Sequence, residues 1–131
     1  MEELYSIGIS IDTIKSMLEI NREIQNMTSS EVIEKIELLK LINCTDQQII
    51  NIISSNPLYL NKSKEDYLKL ISYLSKLGFN TLNILFDSNP YILDLEQYEI
   101  EKYINEKKEE GYSQEEILDT LEETPYLFSE I

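Results

Sequence analysis

All three prolines of this chain sit in copies of one short motif. The copies are Ser54-Ser55-Asn56-Pro57-Leu58-Tyr59-Leu60, Asp87-Ser88-Asn89-Pro90-Tyr91-Ile92-Leu93 and Glu122-Glu123-Thr124-Pro125-Tyr126-Leu127-Phe128. The prolines stand 33 and 35 residues apart, and each follows an apolar helical pattern. Proline has no backbone donor and pushes the residue before it out of helical geometry, so each preceding helix ends there. The apolar residues that follow can tuck a tight connector into a core. Pro57, Leu60, Pro90, Leu93, Pro125 and Phe128 are thus the structural marks of a repeat.

Stepping back from each proline reaches the start of the helix before it. Gly111-Tyr112-Ser113 begins 14 residues before Pro125, Gly78-Phe79-Asn80 begins 12 before Pro90, and Asn43-Cys44-Thr45 begins 14 before Pro57. The same step of 35 residues back from Pro57 lands on Arg22, with Asn21 where Asn56 stands, and Gly8-Ile9-Ser10 lies 14 residues earlier. The first copy has lost its proline and kept its frame. The expected repeats are 8–42, 43–77, 78–110 and a half repeat 111–131, in a single helical-repeat domain over 1–131. A period in this range marks stacked supersecondary units, because one helix pair cannot bury its apolar face alone. The half repeat must therefore lean on the third.

Each repeat opens with the same chemistry. A Gly or Asn takes the left-handed conformation that closes the previous helix, and an N-cap follows at Ser10, Thr45, Asn80 or Ser113. Thr45 with Gln48 and Ser113 with Glu116 form capping boxes. First helices are expected near 11–21, 46–55, 81–88 and 114–123, with stripes Ile11, Ile14, Leu18; Ile49, Ile50, Ile53; Leu82, Leu85, Phe86; and Ile117, Leu118, Leu121. Second helices follow the connectors. Ser29 or Ser30 caps the first, with Val32, Ile33, Ile36 and Leu39 inward; Ser63 caps the second, with Tyr67, Leu68, Ile71 and Leu74 inward. The third starts near Leu95 and carries Tyr98, Ile100, Tyr103 and Ile104, and its stripe then fails at Lys107 and Glu110. The fold class is all-α: a right- or left-handed solenoid of helix-turn-helix repeats.

A repeat of about 35 residues with Gly-apolar-Ser, an apolar helix, Asn-Pro-x-x-Leu and a second amphipathic helix resembles the mitochondrial transcription termination factor (mTERF) family. The closest match is Ser54 to Leu60 with its flanks, then Gly78, then Ser88 to Leu93. The resemblance implies a helical solenoid with a short 3₁₀ turn at each Asn/Thr-Pro motif, and nucleic-acid binding along a basic concave face in the larger members. This chain departs from them in having few repeats, a strongly acidic composition and no arginine except Arg22.

The net charge of −14 opposes non-specific nucleic-acid binding, which depends on Lys and Arg displacing counterions. The charge is uneven: residues 1–34 carry net −5, 35–76 net +2 and 77–131 net −11. The basic middle holds Lys35, Lys40, Lys62, Lys64, Lys69 and Lys76, a candidate phosphate-contacting set, since Lys62, Lys69 and Lys76 recur every seven residues. The acidic end holds Glu109, Glu110, Glu115, Glu116, Asp119, Glu122 and Glu123, a candidate surface for a basic protein partner. An acidic surface of this kind also fits a DNA-mimicking inhibitor.

No enzyme is expected. The chain has no histidine, which removes the usual general base and metal ligand, and no glycine-rich phosphate loop. No metal or cofactor is expected either. The paired carboxylates read as a solvated helix face, and the tyrosines of the proline motifs and helical stripes as core or half-buried packing. Cys44, the sole cysteine, reads as a small buried apolar residue and rules out an intrachain disulfide. Apolar runs are too short for a membrane span, and no basic-then-apolar leader is present, so the expected location is cytoplasmic. The half repeat leaves one helix side to be covered, either by a second copy in a symmetric dimer or by a short final segment folding back.

Overall fold

A computed structural model describes residues 1–131. It is all-helical: α1 Glu2–Ser6, α2 Ile11–Ile20, α3 Ser29–Leu41, α4 Asp46–Ser55, α5 Lys64–Leu77, α6 Leu82–Ser88, α7 Gln97–Glu109 and α8 Gln114–Glu123. Four 3₁₀ turns alternate with them at Arg22–Asn26, Pro57–Asn61, Pro90–Asp94 and Pro125–Glu130. The chain divides into two compact units, Met1–Lys64 and Glu65–Ile131.

The first helices α2, α4, α6 and α8 lie where caps and prolines put them. Ser10 accepts from Thr13 N, and the Thr45–Gln48 and Ser113–Glu116 capping boxes both form. The third start differs: Thr81, not Asn80, precedes α6 and makes no side-chain cap, so that helix is the shortest of the four. The second helices differ more. Thr28 caps α3 through Glu31 N, in place of Ser29 or Ser30. The third second-position helix starts at Gln97, not Leu95, where Glu99 accepts from Glu96 N at 2.9 Å. Its final turn is solvated: Ile100 and Ile104 are its buried residues, and Lys107 pairs with Glu110 at 3.2 Å.

Four helices end identically. Ile9, Cys44, Phe79 and Tyr112 each donate a backbone N–H to the residue five positions back, Leu4, Leu39, Leu74 and Lys107, at 3.1, 3.2, 3.1 and 3.1 Å. The intervening Gly8, Asn43, Gly78 and Gly111 all have positive φ. This bonding satisfies carbonyls the helix leaves orphaned. Asn43, at φ 69°, is the one residue with a Cβ to adopt it, and asparagine tolerates that region better than most.

Each proline motif forms a 3₁₀ turn, and the first copy forms one at Arg22–Asn26 without proline. With three residues per turn, the motif sorts its side chains by position. Tyr59 and Ile92, two after the proline, are buried, as are Leu60, Leu93 and Phe128, three after it. The residue directly after the proline faces out: Leu58, Tyr91 and Tyr126 are all exposed. The packing expected for Tyr91 and Tyr126 is therefore corrected. Ile11, Ile33 and Tyr98, expected on apolar stripes, are also exposed.

Asparagines tie each helix end to the turn of the next repeat within a unit. In the first unit, Asn21 donates to the Pro57 carbonyl at 2.9 Å and exchanges amide bonds with Asn61, while its oxygen accepts from Glu23 N. In the second, Asn89 donates to the Pro125 carbonyl and to Ser129 Oγ, each at 3.0 Å, and accepts from Tyr91 N. The half repeat leans on the third repeat as expected: α8 packs on α7, and Phe128 meets the Phe79 ring at 5.9 Å between centroids. Cys44 is buried. No helix is long and apolar enough to cross a membrane.

Candidate functional site: an acidic groove along α8

Residues Glu115, Leu118, Asp119 and Glu122 fall at positions i, i+3, i+4 and i+7 of α8, so they share one face. Ser113 starts that helix by accepting from Glu116 N at 3.2 Å, and Glu116 returns the bond to Ser113 N at 3.1 Å. This pins the phase of α8, while Ile117 and Leu121 sink into the unit. The charged face lies against the turn after α5. Leu77, Gly78 and Asn80 from that turn, with Gln114, Glu115, Leu118, Asp119 and Glu122 from α8, line a groove of about 370 Å³.

The turn and the helix are held together by two contacts. Gln114 Nε2 donates to the Leu77 carbonyl at 3.2 Å. Gly78, at φ +122°, lets the backbone come so close that a Cβ there would sit 3.3 Å from Leu118 Cδ1. The floor is therefore apolar, Leu77 and Leu118, and the rim is three carboxylates with no basic residue among the lining. The carboxylates of Glu115, Asp119 and Glu122 enter none of the salt bridges of the protein. An unneutralised rim over an apolar floor can hold a cationic side chain whose aliphatic stem lies on the leucines.

The seven acidic candidates are all exposed, and the groove gathers three of them. Glu116 is committed to its cap and Glu110 to Lys107. Glu109 and Glu123 stand outside the groove lining.

The lysines are dispersed. Lys35 is 7% exposed, donating to the Lys62 carbonyl and lying 3.5 Å from Glu34, so its ammonium is engaged inside the first unit. Tyr59 donates to the Lys35 carbonyl at 2.7 Å. Lys40 pairs with Glu37 at 3.5 Å, Lys62 is half-buried and Lys64 is exposed. Lys69 and Lys76 line a groove of about 540 Å³ on α5 together with Glu65, Leu68, Ser72, Tyr73 and Gln97. Burial, and then the charge of Glu101, raise the Tyr73 phenol above the ordinary tyrosine range.

Sequence reasoning missed Tyr73, Gln114 and the asparagine ties. The recurrence of Asn21, Asn56 and Asn89 at one frame position was the available signal for the ties. Nothing local marked Gln114 or Tyr73.

The family model described as mTERF matches residues 1–129. No curated protein and no solved structure matches the chain.

Proposed function

The chain belongs to the mTERF family, and from that premise we propose that it is a non-catalytic helical-repeat binding module whose partner is a protein presenting a basic segment. The observation that carries this reading is the groove along α8, with Glu115, Asp119 and Glu122 unneutralised around Leu77 and Leu118. A Lys- or Arg-bearing segment would gain Coulombic attraction and apolar contact together. The net −11 of residues 77–131 would speed its approach. The same field repels polyanions.

The test is fluorescence anisotropy of a labelled Lys/Arg-rich peptide against the full chain across a salt series. Binding that weakens with salt, and that is lost in the triple variant Glu115→Lys, Asp119→Lys, Glu122→Lys, is the expected result. Peptide binding indifferent to those charges would end the proposal.

A second reading rests on the α5 groove. Lys69 and Lys76 carry no ion pair and flank Tyr73, a geometry suited to a phosphodiester with a stacked base. It predicts DNA or RNA binding that weakens with salt and disappears in Lys69→Ala, Lys76→Ala. Nucleic-acid binding with no response to the basic peptide would favour it over the first.

A further inference from the structure

Tyr91 and Tyr126 each stand directly after the proline of their motif and are 54% and 61% exposed. The 3₁₀ turn presents this position in every proline copy: Leu58, its counterpart in the first unit, is 47% exposed. Leu58 and Tyr91 are each followed in the chain by a full helix, α5 and α7, and stay exposed. The turn itself, with three residues per revolution, therefore sets the exposure. A tyrosine at such a place offers a flat apolar face and a hydroxyl, and few rotatable bonds are frozen when a ligand stacks on it.

One buried side chain fixes how far apart the two tyrosines stand. The amide oxygen of Asn89 accepts from Tyr91 N at 3.1 Å, and its nitrogen donates at 3.0 Å to the carbonyl of Pro125, the residue joined to Tyr126. The two turns also pack directly on one another. A single amide thus separates their backbones, a spacing of roughly 8–10 Å, as between packed helices. A polyproline II helix advances roughly 9 Å per turn of three residues. Its residues i and i+3 recur at the spacing of Tyr91 and Tyr126.

We propose that Tyr91 and Tyr126 dock a proline-rich segment of a partner protein in the polyproline II conformation, with prolines i and i+3 stacked on the two rings. Such a segment is preformed in water and leaves its backbone carbonyls without internal partners. Ser129 follows Tyr126 by three residues and so shares its edge of the turn; its Oγ accepts from Asn89 and meets a peptide carbonyl as a donor. Asp94 in the first of these turns, Glu130 in the second and Glu123 just before it are exposed. Their charge favours lysine or arginine beside the prolines, and it repels the phosphates of a nucleic acid whose bases could stack on the same rings. Neither tyrosine lines the groove along α8.

The probe is decaproline with blocked ends and an uncharged fluorescent label, titrated against the full chain and followed by anisotropy. It is expected to bind saturably with little dependence on salt, and a Gly-Ser peptide of equal length is expected not to bind. Tyr91→Ala and Tyr126→Ala are each expected to weaken decaproline by roughly five- to tenfold, with far-UV circular dichroism unchanged. Tyr126→Phe keeps the stacking face and is expected to retain most of the affinity. Glu115→Lys, Asp119→Lys, Glu122→Lys is expected to leave binding of this uncharged probe in place, which separates the site from the α8 groove. Absent binding, or binding that survives Tyr91→Ala combined with Tyr126→Ala, overturns the proposal. Decaproline that fails to bind while single-stranded DNA binds and is lost in the double variant overturns it in favour of base stacking.

Discussion

Asn21 and Asn61 exchange two amide hydrogen bonds, at 3.1 and 3.2 Å, across 40 residues of sequence. Asn21 also reaches the Pro57 carbonyl and takes the Glu23 N–H, so both donors and the oxygen of its amide are engaged while the residue is 2% exposed. Arg22 has replaced proline in this copy, but the asparagine before it remains. In this copy the asparagine tie is present without the proline.

Replacing Asn21 by Ala should leave the buried Pro57 carbonyl without this donor and break the exchange with the exposed Asn61 amide. An orphaned buried polar group costs about 1–3 kcal/mol, so a loss of that order is expected in urea unfolding. Asn21→Asp should be no milder, because a carboxylate cannot donate to the carbonyl. Asn89→Ala should show the same in the second unit, where Pro125 and Ser129 lose their donor.

The Tyr59 hydroxyl donates to the Lys35 carbonyl in the buried interior of the first unit. Tyr59→Phe keeps the ring packing and removes one bond, so a cost of about 0.5–1.5 kcal/mol is expected by thermal unfolding. Tyr126→Phe, at an exposed position, should be neutral in the same assay.

Gly78→Ala joins two penalties. The φ of +122° is strained for any residue with a Cβ, and that atom would press on Leu118 at 3.3 Å. A loss of about 1–3 kcal/mol is expected. Because Leu118 floors the α8 groove, binding of the basic peptide should weaken in this variant as well.

The carboxylates at the C-terminal end of α8 should cost stability. Glu122 and Glu123 end a helix whose C-terminus favours cations, and Glu115, Asp119 and Glu122 repel one another along one face. Glu122→Lys should therefore raise stability by about 0.3–1 kcal/mol in a melting experiment. The same variant should weaken the basic peptide, so the two readouts move in opposite directions.

Tyr73 gives a pH signature. Its phenol is raised first by burial and then by Glu101. With the folded value above the unfolded one, the neutral phenol's contribution is present below the unfolded tyrosine range and is lost as pH rises through the folded value. In a titration followed at the tyrosinate absorbance band, one late component should vanish in Tyr73→Phe. The result expected otherwise, a uniform titration, would show Tyr73 solvated.

The helices that the sequence delimited well are those with capping chemistry at one end and proline at the other, such as Asp46–Ser55 and Gln114–Glu123. Caps and breakers are local, so they are readable without tertiary information. The misplaced residues are of three kinds. Tyr91 and Tyr126 lie in turns of three residues, where an apolar residue beside proline points outward whatever its hydropathy. Lys35 reads as surface but lies where a neighbouring turn covers its stem and the Lys62 carbonyl receives its ammonium. Helix α1 is too short to show a period, and only its shared C-terminal bonding identifies it. Of the candidate site, the acidic positions on α8 were legible as exposed charge. Their convergence on Leu77 was not, because it depends on how closely Gly78 lets two backbones approach.

The constant separation in the asparagine ties has a kinetic consequence. Asn21 to Pro57 and Asn89 to Pro125 each close a loop of 36 residues, and the bonds to Asn61 and Ser129 close one of 40, so in either unit these ties form once one helix pair and the next turn are in place. Loop-closure entropy grows slowly with length and is met at a short span here. Each unit can therefore nucleate within itself and gain its next helices by accretion.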